Sequence, residues 1–123
     1  VKKTTSKPKK FSRAYILINE KNEIIVRKRA SKGMLASMLE VPNDDWVEKK
    51  SLLRRDVIIN KLQKKLIRKG ELNYSFSHFD LYVEIFYKKI RKIDYPKSKW
   101  LNINKYSNSQ LPTVMKKILE IMM

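Results

Sequence analysis

The chain has 123 residues and a mass of 14.7 kDa, which is enough for one domain with one hydrophobic core and too little for two. Hydrophobic residues make up 42% and charged residues 33%, which excludes disorder by composition, and the lack of cysteine with a single histidine, His78, excludes disulfides, thiolate metal sites and multi-histidine sites. The 29 lysines and arginines exceed the 12 acids, and the net charge of +17 favours a polyanionic partner, above all nucleic acid, with a general lysine surplus as the alternative.

The chain is predicted to begin with a basic arm and a β-hairpin. Residues 1–10 hold five lysines and no acid, which indicates a flexible arm or linker ahead of a single domain spanning 11–123. Apolar, β-branched runs at 12–19 and 24–29 predict two strands, and the polar turn between them predicts that they pair as a hairpin. No apolar run approaches the roughly 18 residues of a membrane span, so we expect no membrane partner.

The middle of the chain is predicted to contain a short strand and a long helix. The strand is expected at 38–41, because Pro42 should end its regular pairing. Apolar residues at helical spacing predict a helix from 48 to about 67, and Gly70 is a natural stop beyond it. Its buried face would hold Leu52, Ile59, Leu62 and Leu66, with Ile58 beside them.

The last third is predicted to contain three strands and a helix. Two strand-like runs at 72–79 and 80–88 precede a short strand at 100–103. A terminal helix is predicted at 111–122, with Pro112 in its first turn. Its buried stripe would be Val114, Ile118, Ile121 and Met122. Strands on either side of a long helix, followed by a closing helix, indicate a mixed α+β fold.

The acidic residues are poorly arranged for catalysis. Hydrolytic chemistry needs convergent carboxylates, or a nucleophile with a base beside it. Asp44, Asp45 and Glu48 form the only local acidic group, and acids that precede a helix are usually solvated or favour the helix N-terminus. We therefore expect neither a catalytic centre nor a metal site in this chain.

Positive charge is concentrated in two stretches. Residues 49–69 carry nine positive charges against one acid, and residues 88–99 carry six against one. A solvated surface would account for any single lysine, but aromatic residues lie between the two stretches, a combination that favours contact with phosphates. The candidate phosphate contacts are Lys49, Lys50, Arg54, Lys88 and Lys89.

Three segments, in order, resemble one protein family. GMLASMLEVP at 33–42 is similar to the GLLAGLWEFP segment of MutY-type adenine DNA glycosylases, and FSHF at 76–79 resembles that family's FSHF loop. The Trp-Leu pair at 100–101, followed by LPTVMKK at 111–117, is similar to the family's ending. The match covers nearly the whole chain but only the C-terminal domain of such an enzyme. It implies an α+β, Nudix-like fold, with a mixed β-sheet packed between a long helix and a C-terminal helix.

The resemblance also implies a function. MutY-type enzymes remove adenine mispaired with 8-oxoguanine, and their C-terminal domain helps recognise the 8-oxoguanine. The implied partner is double-stranded DNA that contains 8-oxoguanine:A, bound by a monomeric, cytoplasmic and nucleoid-associated bacterial protein. The family's catalytic domain and its 4Fe-4S cluster have no counterpart here, so we expect no cofactor in this chain and no activity from it alone.

Phe76, Ser77 and His78 are the candidate lesion-contacting residues under this resemblance. A serine hydroxyl can accept a hydrogen bond from the N7–H of 8-oxoguanine and donate one to its C8 carbonyl, a pair that guanine lacks. Phe76 would pack or wedge against bases, and His78 would position the loop or meet a phosphate. By propensity alone, Phe76 would be a core residue and Ser77 a turn residue.

The chain departs from active Nudix hydrolases where those bind magnesium. Asn43-Asp44 replaces their Gly-Gly pair, and the run at 59–65 has lysines where their magnesium-binding glutamates stand. Lysine cannot coordinate magnesium and repels it. Two alternatives to lesion recognition stay open. One is a Nudix-type hydrolase of oxidised nucleotides, and the other is a protein-interaction module that uses residues 43–50 and 95–100.

Overall fold

A computed structural model of the chain describes residues 7–29, 35–56, 59–60, 65–91, 98–108 and 111–122, with backbone only for 106–108. Within them lies one mixed sheet whose strands are β1 (Lys9–Ile18), β2 (Glu23–Lys28), β3 (Leu39–Glu40), β4 (Ile67–Ser75), β5 (Asp80–Lys89) and β6 (Ser98–Asn102). The strand order is β3-β2-β1-β5-β4, and β6 also pairs with β2. β1 and β5 are parallel, whereas the remaining pairs of these strands are antiparallel.

Besides the two helical residues Ile59 and Asn60, three helical elements complete the described fold. Two are short 3₁₀ turns at Lys50–Leu52 and Ile103–Asn108, and the third is the α-helix α1 at Thr113–Met122. The carbonyl of Pro112 accepts hydrogen bonds from the backbone N–H groups of Met115 and Lys116, which closes the first turn of α1. Within the described parts of the chain, no helix is long and apolar enough to cross a membrane.

The β1–β2 hairpin confirms the prediction from its polar turn. The Asn19 side-chain oxygen accepts hydrogen bonds from the backbone N–H groups of Lys21 and Glu23, at 2.9 and 3.0 Å. Asn22 adopts a left-handed φ of 59°, a conformation that asparagine tolerates better than most residues. Residues 19–22 therefore form a turn that is stabilised by the side chain of Asn19 as well as by backbone hydrogen bonds.

Both faces of the sheet are covered by apolar side chains. Alternate residues of β1 point in opposite directions, so Ala14, Ile16 and Ile18 join the larger core beneath α1. Tyr15 and Leu17 join a smaller cluster on the opposite face. That cluster also contains Ile25, Ile59 and Ile90, with Leu66, Phe86 and Trp100 packed against it. The mixed sheet and the C-terminal helix confirm the predicted α+β class.

The predicted helix at 48–67 is wrong at both ends. Residues 50–52 form a 3₁₀ turn, residues 53–56 are irregular, and β4 already begins at Ile67. Ile59 and Asn60 are helical, and their backbone N–H groups donate to the Asp56 carbonyl. Leu52 is 54% exposed, so it does not belong to a buried face. Residues 57–58 and 61–64, including Ile58 and Leu62, lie outside the described residues.

Several smaller boundaries also differ from prediction: β4 spans Ile67–Ser75 instead of 72–79, β6 spans Ser98–Asn102 instead of 100–103, and α1 begins at Thr113 instead of 111. β1 begins at Lys9, so the last two residues of the predicted arm at 1–10 belong to the sheet, whereas residues 1–6 lie outside the described part of the chain. The buried face of α1 consists of Val114, Met115, Ile118 and Leu119, whereas Ile121 is exposed and Met122 half-buried. The helix is therefore rotated toward Met115 and Leu119 relative to the predicted stripe.

Candidate functional site

The hairpin that joins β4 to β5 presents the FSHF segment on an aromatic base. The backbone N–H of Phe76 donates to the carbonyl of Phe79 at 2.8 Å, which closes the turn. The Phe76 ring lies 4.9 Å from the rings of both Tyr74 and Phe79 and 5.7 Å from Trp46, between centroids. Aromatic pairs at such separations are favourable in offset and edge-to-face arrangements. Phe76 therefore packs into the protein, and its side chain anchors the hairpin.

Ser77 and His78 form the exposed tip of this hairpin. Both side chains are exposed, whereas Phe79 behind them is buried. Packed aromatic rings beneath the two polar tip residues hold them in place. A side chain needs such support in order to recognise one edge of a nucleobase. The sequence prediction grouped Phe76 with these two residues, but the structure separates a packed Phe76 from an accessible Ser77 and His78.

Lys7 connects the start of the domain to the same hairpin. Its ammonium group donates to the Phe76 carbonyl at 2.8 Å and to the Ser75 hydroxyl at 2.6 Å, and it pairs with Asp80 at 3.2 Å. The Ser75 hydroxyl in turn donates to Asp80 at 2.7 Å. The hydrogen bond from Ser75, followed by that from Lys7, lowers the pKa of the Asp80 carboxyl below its ordinary value. Sequence reasoning missed Lys7 because nothing in the pattern joins it to the hairpin.

Lysines lie along the hairpin edge, by which we mean the end of the sheet where β1 and β5 begin and from which the β4–β5 hairpin projects. Because β1 and β5 run parallel with Lys9 opposite Asp80, both strands begin at that edge. The Lys10 ammonium lies 4.9 Å from the centroid of the Phe79 ring, a cation–π distance. Lys50 reaches the same end of β1, with its ammonium 5.7 Å from the Phe11 ring centroid.

The predicted phosphate contacts do not form one group. Lys49 and Lys50 follow Val47, whose backbone pairs with Phe11 near the start of β1, so they lie at the hairpin edge. Lys88 and Lys89 pair with Leu17 and Ile18 at the other end of β1 and β5. Lys88 lies eight residue positions along β5 from Asp80, which is roughly 26 Å. Arg54 is exposed beyond the first 3₁₀ turn.

Beside β2 the buried acids are engaged by arginines. Arg27 donates to Glu40 at 2.8 Å and to both carboxylate oxygens of Asp56 at 2.9 and 2.6 Å. Arg29 donates to the second Glu40 oxygen at 2.6 Å, and the Asn43 amide donates to that oxygen at 2.9 Å. Burial opposes the charge on Arg27, but its bonds to Asp56 and Glu40 prevail and raise its pKa. These carboxylates therefore form internal ion pairs.

Asp44 is the centre of a second buried network. Its side chain accepts hydrogen bonds from the Arg13 guanidinium, from the Tyr15 hydroxyl at 2.8 Å and from the backbone N–H of Asp56 at 2.9 Å. Burial, together with the bond to Asp44, raises the pKa of the Tyr15 hydroxyl far above its ordinary value, so Tyr15 stays neutral. Asp44 is thus a structural acid, and neither a helix-terminal nor a solvated one as its sequence position suggested.

Comparison with known proteins identifies the family. A family model described as the NUDIX domain matches residues 13–121. The chain belongs to the Nudix domain family. No curated protein sequence matches it.

Solved structures with the same fold include proteins of several kinds. The C-terminal domain of mouse MUTYH, in complex with human PCNA, is similar with a TM-score of 0.73 and 15% identity, covering 92% of this chain and 86% of that one. A MutT protein from Methanosarcina mazei Go1 has a TM-score of 0.68 and 17% identity, covering 95% and 94%. Shewanella oneidensis NrtR, complexed with a 27mer DNA, has a TM-score of 0.65 and 8% identity, covering 90% and 59%. At these identities the likeness shows a shared fold.

The described residues of this Nudix domain do not fit the magnesium ion that the family's hydrolases use. Magnesium needs carboxylate oxygens that are free to coordinate it. Glu40, Asp44 and Asp56 already hold arginines, and no group of three or more potential ligands occurs among the residues the structure describes.

Proposed function

We propose that this Nudix domain recognises an oxidised base in double-stranded DNA and does not hydrolyse nucleotides. The observation that carries the proposal is the β4–β5 hairpin, where exposed Ser77 and His78 stand on a packed aromatic base. The lysines at the same sheet edge supply charge for the adjacent phosphates. The FSHF resemblance supports 8-oxoguanine, opposite adenine, as the base that is read.

The chemistry of Ser77 suits a test of oxidation. Guanine presents an acceptor at N7, whereas 8-oxoguanine presents an N7–H donor beside a C8 carbonyl. The Ser77 hydroxyl can accept a hydrogen bond from the N7–H of 8-oxoguanine and donate one to its C8 carbonyl at the same time. The hydrogen bond between Phe76 and Phe79 restrains the backbone of the turn on which Ser77 lies. That backbone therefore loses less conformational freedom when DNA binds. His78, exposed beside it, is placed to meet a phosphate.

A nucleotide hydrolase is the second candidate, because the Nudix family and the MutT neighbour support that activity equally well. The arginine-bound carboxylates and the lysines in the run at 59–65 oppose it. A magnesium-dependent assay on 8-oxo-dGTP discriminates between the two: we expect no hydrolysis. Turnover that depends on magnesium would contradict the proposal and show that the chain is a nucleotide hydrolase.

The decisive experiment compares binding of this chain to two duplexes that differ only in 8-oxoguanine:A against G:A. We expect a preference for the oxidised pair, and Ser77→Ala should reduce that preference by about 5-fold, the low end for one good base contact. Ser51→Ala, which removes another exposed serine, should leave the preference unchanged. Equal affinity of the unmodified chain for both duplexes would contradict the proposal.

A further inference from the structure

Lys7 holds the peptide unit that leads into the tip of the FSHF hairpin. Its ammonium group donates a hydrogen bond to the Phe76 carbonyl at 2.8 Å. That carbonyl and the backbone N–H of Ser77 belong to the same peptide unit, which is planar. A bond that fixes the direction of the carbonyl therefore also fixes the plane from which Ser77 continues.

The ammonium group of Lys7 is fully used inside the protein. A protonated lysine has three N–H donors and no acceptor. Lys7 has three acceptors for them: the Phe76 carbonyl, the Ser75 hydroxyl at 2.6 Å and the Asp80 carboxylate at 3.2 Å. The Asp80 carboxylate also balances the charge of the ammonium group. Lys7 is therefore unlike the lysines proposed to meet phosphates, because its donors and its charge are directed at the hairpin.

Lys7 contacts both strands of the hairpin. Ser75 is the last residue of β4 and Asp80 is the first of β5, and the Ser75 hydroxyl donates to the Asp80 carboxylate at 2.7 Å. The carbonyl of Pro8, next to Lys7 in the chain, accepts the backbone N–H of Asp80 at 3.0 Å. One ammonium group thus joins the end of β4, the first peptide unit of the turn and the start of β5.

The tip of the hairpin depends on this contact because it makes few contacts of its own. Within the part of the chain that the structure describes, neither Ser77 nor His78 makes a hydrogen bond or an ion pair. Ring packing against Tyr74 and Phe79 holds the Phe76 side chain. The bond from Lys7 holds the peptide unit that follows that side chain, and this is the unit on which the direction of Ser77 depends.

We propose that Lys7 is a positioning residue for base recognition, which orients Ser77 by holding the Phe76 carbonyl. This role rests on the proposed function and belongs to a residue outside the FSHF motif that itself contacts no base. A tip held in this way has less conformational freedom to lose when DNA binds, so more of the hydrogen-bond energy of the Ser77 hydroxyl is available for discrimination.

The test uses the double variant Lys7→Met/Asp80→Asn, which removes one cation and one anion and leaves the net charge unchanged. The control Arg68→Met/Glu84→Gln removes another ion pair between β4 and β5, of similar exposure, about four residue positions or roughly 13 Å along β5 from the hairpin. Because all four side chains are partly exposed, both variants should fold, and urea denaturation verifies this.

The first measurement is the NMR order parameter of the Ser77 backbone N–H, which lies in the held peptide unit. We expect a rigid value of about 0.85 in the unmodified chain and in the control, and a value below about 0.6 in Lys7→Met/Asp80→Asn. An unchanged order parameter in that double variant would overturn the positioning role.

The second measurement is the preference for an 8-oxoguanine:A duplex over a G:A duplex. Lys7→Met/Asp80→Asn should lower this preference by about 3-fold and the control should leave it unchanged. In the Ser77→Ala chain the same double change should lower the preference no further, because Lys7 acts through the Ser77 hydroxyl. A loss of equal size with and without the hydroxyl would also overturn the role.

Failure of lesion recognition is recognised separately from failure of the Lys7 role. Without a preference between the duplexes in the unmodified chain, the lesion-recognition proposal fails. The order parameter of Ser77 still decides in that case whether Lys7 holds the tip, since it is measured on the chain without DNA.

Discussion

Arg27 and Asp56 form a two-bond ion pair, in which two guanidinium nitrogens donate to the two carboxylate oxygens at 2.9 and 2.6 Å. Arg27 also bonds to Glu40, so one cation bridges β3 and the segment that precedes Ile59. The side chain of Arg27 is 16% exposed and that of Asp56 is 10% exposed. A pair so shielded from water depends on both partners, because either charge alone is costly to bury.

Arg27→Met should therefore lower the free energy of unfolding by about 3 kcal/mol, since the buried Glu40 and the half-buried Asp56 lose the cation between them. Urea denaturation measures the change. Arg68→Met is the matched control: Arg68 pairs with Glu71 and Glu84 at the surface, and its loss should cost less than about 1 kcal/mol. Equal losses of unfolding free energy in the two variants would mean that the Arg27 network stabilises the fold no more than a surface ion pair does.

The FSHF hairpin should separate stability from recognition. Phe79 is 7% exposed and packs against Trp46 and Phe76. Phe79→Ala should lower the free energy of unfolding by about 3 kcal/mol, because it leaves a cavity beside those rings. Ser77→Ala and His78→Ala replace exposed side chains and should each change stability by less than about 0.5 kcal/mol. Thermal and urea unfolding measure these values. A Ser77→Ala variant as unstable as Phe79→Ala would give Ser77 a structural role instead.

The Asp80 carboxyl should titrate below the ordinary range, and Ser75→Ala should raise its pKa toward the ordinary value. Ser75→Ala removes the larger cause of the depression, and Lys7→Ala removes the next. Carboxyl chemical shifts followed by NMR across an acid titration give the pKa directly. Because the folded pKa is depressed, the contribution of Asp80 to the hairpin is present above the unfolded pKa and is lost as the pH falls through the folded value. An unchanged Asp80 pKa in Ser75→Ala would contradict the hydrogen bond.

Duplex binding should depend on the hairpin edge more than on the far end of the sheet. The whole interface, if it neutralises about five phosphates, should give a slope of log K against log[salt] near −4.5. Lys49→Gln/Lys50→Gln should make that slope shallower by about 1.8, whereas Lys88→Gln/Lys89→Gln, roughly 26 Å away, should leave it unchanged. A larger effect from the far pair would place the DNA on the other end of the sheet.

Magnesium should not stabilise the folded chain. A ligand present at about 100 times its dissociation constant adds about 2.7 kcal/mol to the free energy of unfolding. We expect no change when about 10 mM magnesium chloride replaces sodium chloride of equal ionic strength, because Glu40, Asp44 and Asp56 hold arginines. A clear rise in stability would show that a metal site exists.

Local patterns predicted the parts of this fold that local patterns control. The β1–β2 hairpin follows from its Asn-rich turn, and the start of α1 follows from Pro112. The prediction of a helix from 48 to 67 was wrong at its ends, and at the first end this is because tertiary contacts hold residues 53–56. The backbone N–H of Asp56 donates to Asp44 and its side chain binds Arg27, which ties residues 53–56 to the sheet in place of a helix.

The candidate site divides in the same way. The motif located the hairpin tip at Ser77 and His78, but it could not show that Trp46 supports Phe76, because that contact joins two loops far apart in the chain. Charge counting found Lys49 and Lys88 equally, and only the parallel register of β1 and β5 separates them.

The contacts of Lys7 and Pro8 decide where this domain can be shortened. The Pro8 carbonyl accepts the backbone N–H of Asp80 at 3.0 Å, and Lys7 holds the Phe76 carbonyl. A truncated version that starts at Lys9 would keep every described strand intact and still lose the contacts that hold the β4–β5 hairpin. A fusion immediately ahead of Lys7 would for the same reason disturb that hairpin. Fluorescent labels and affinity tags therefore belong after α1.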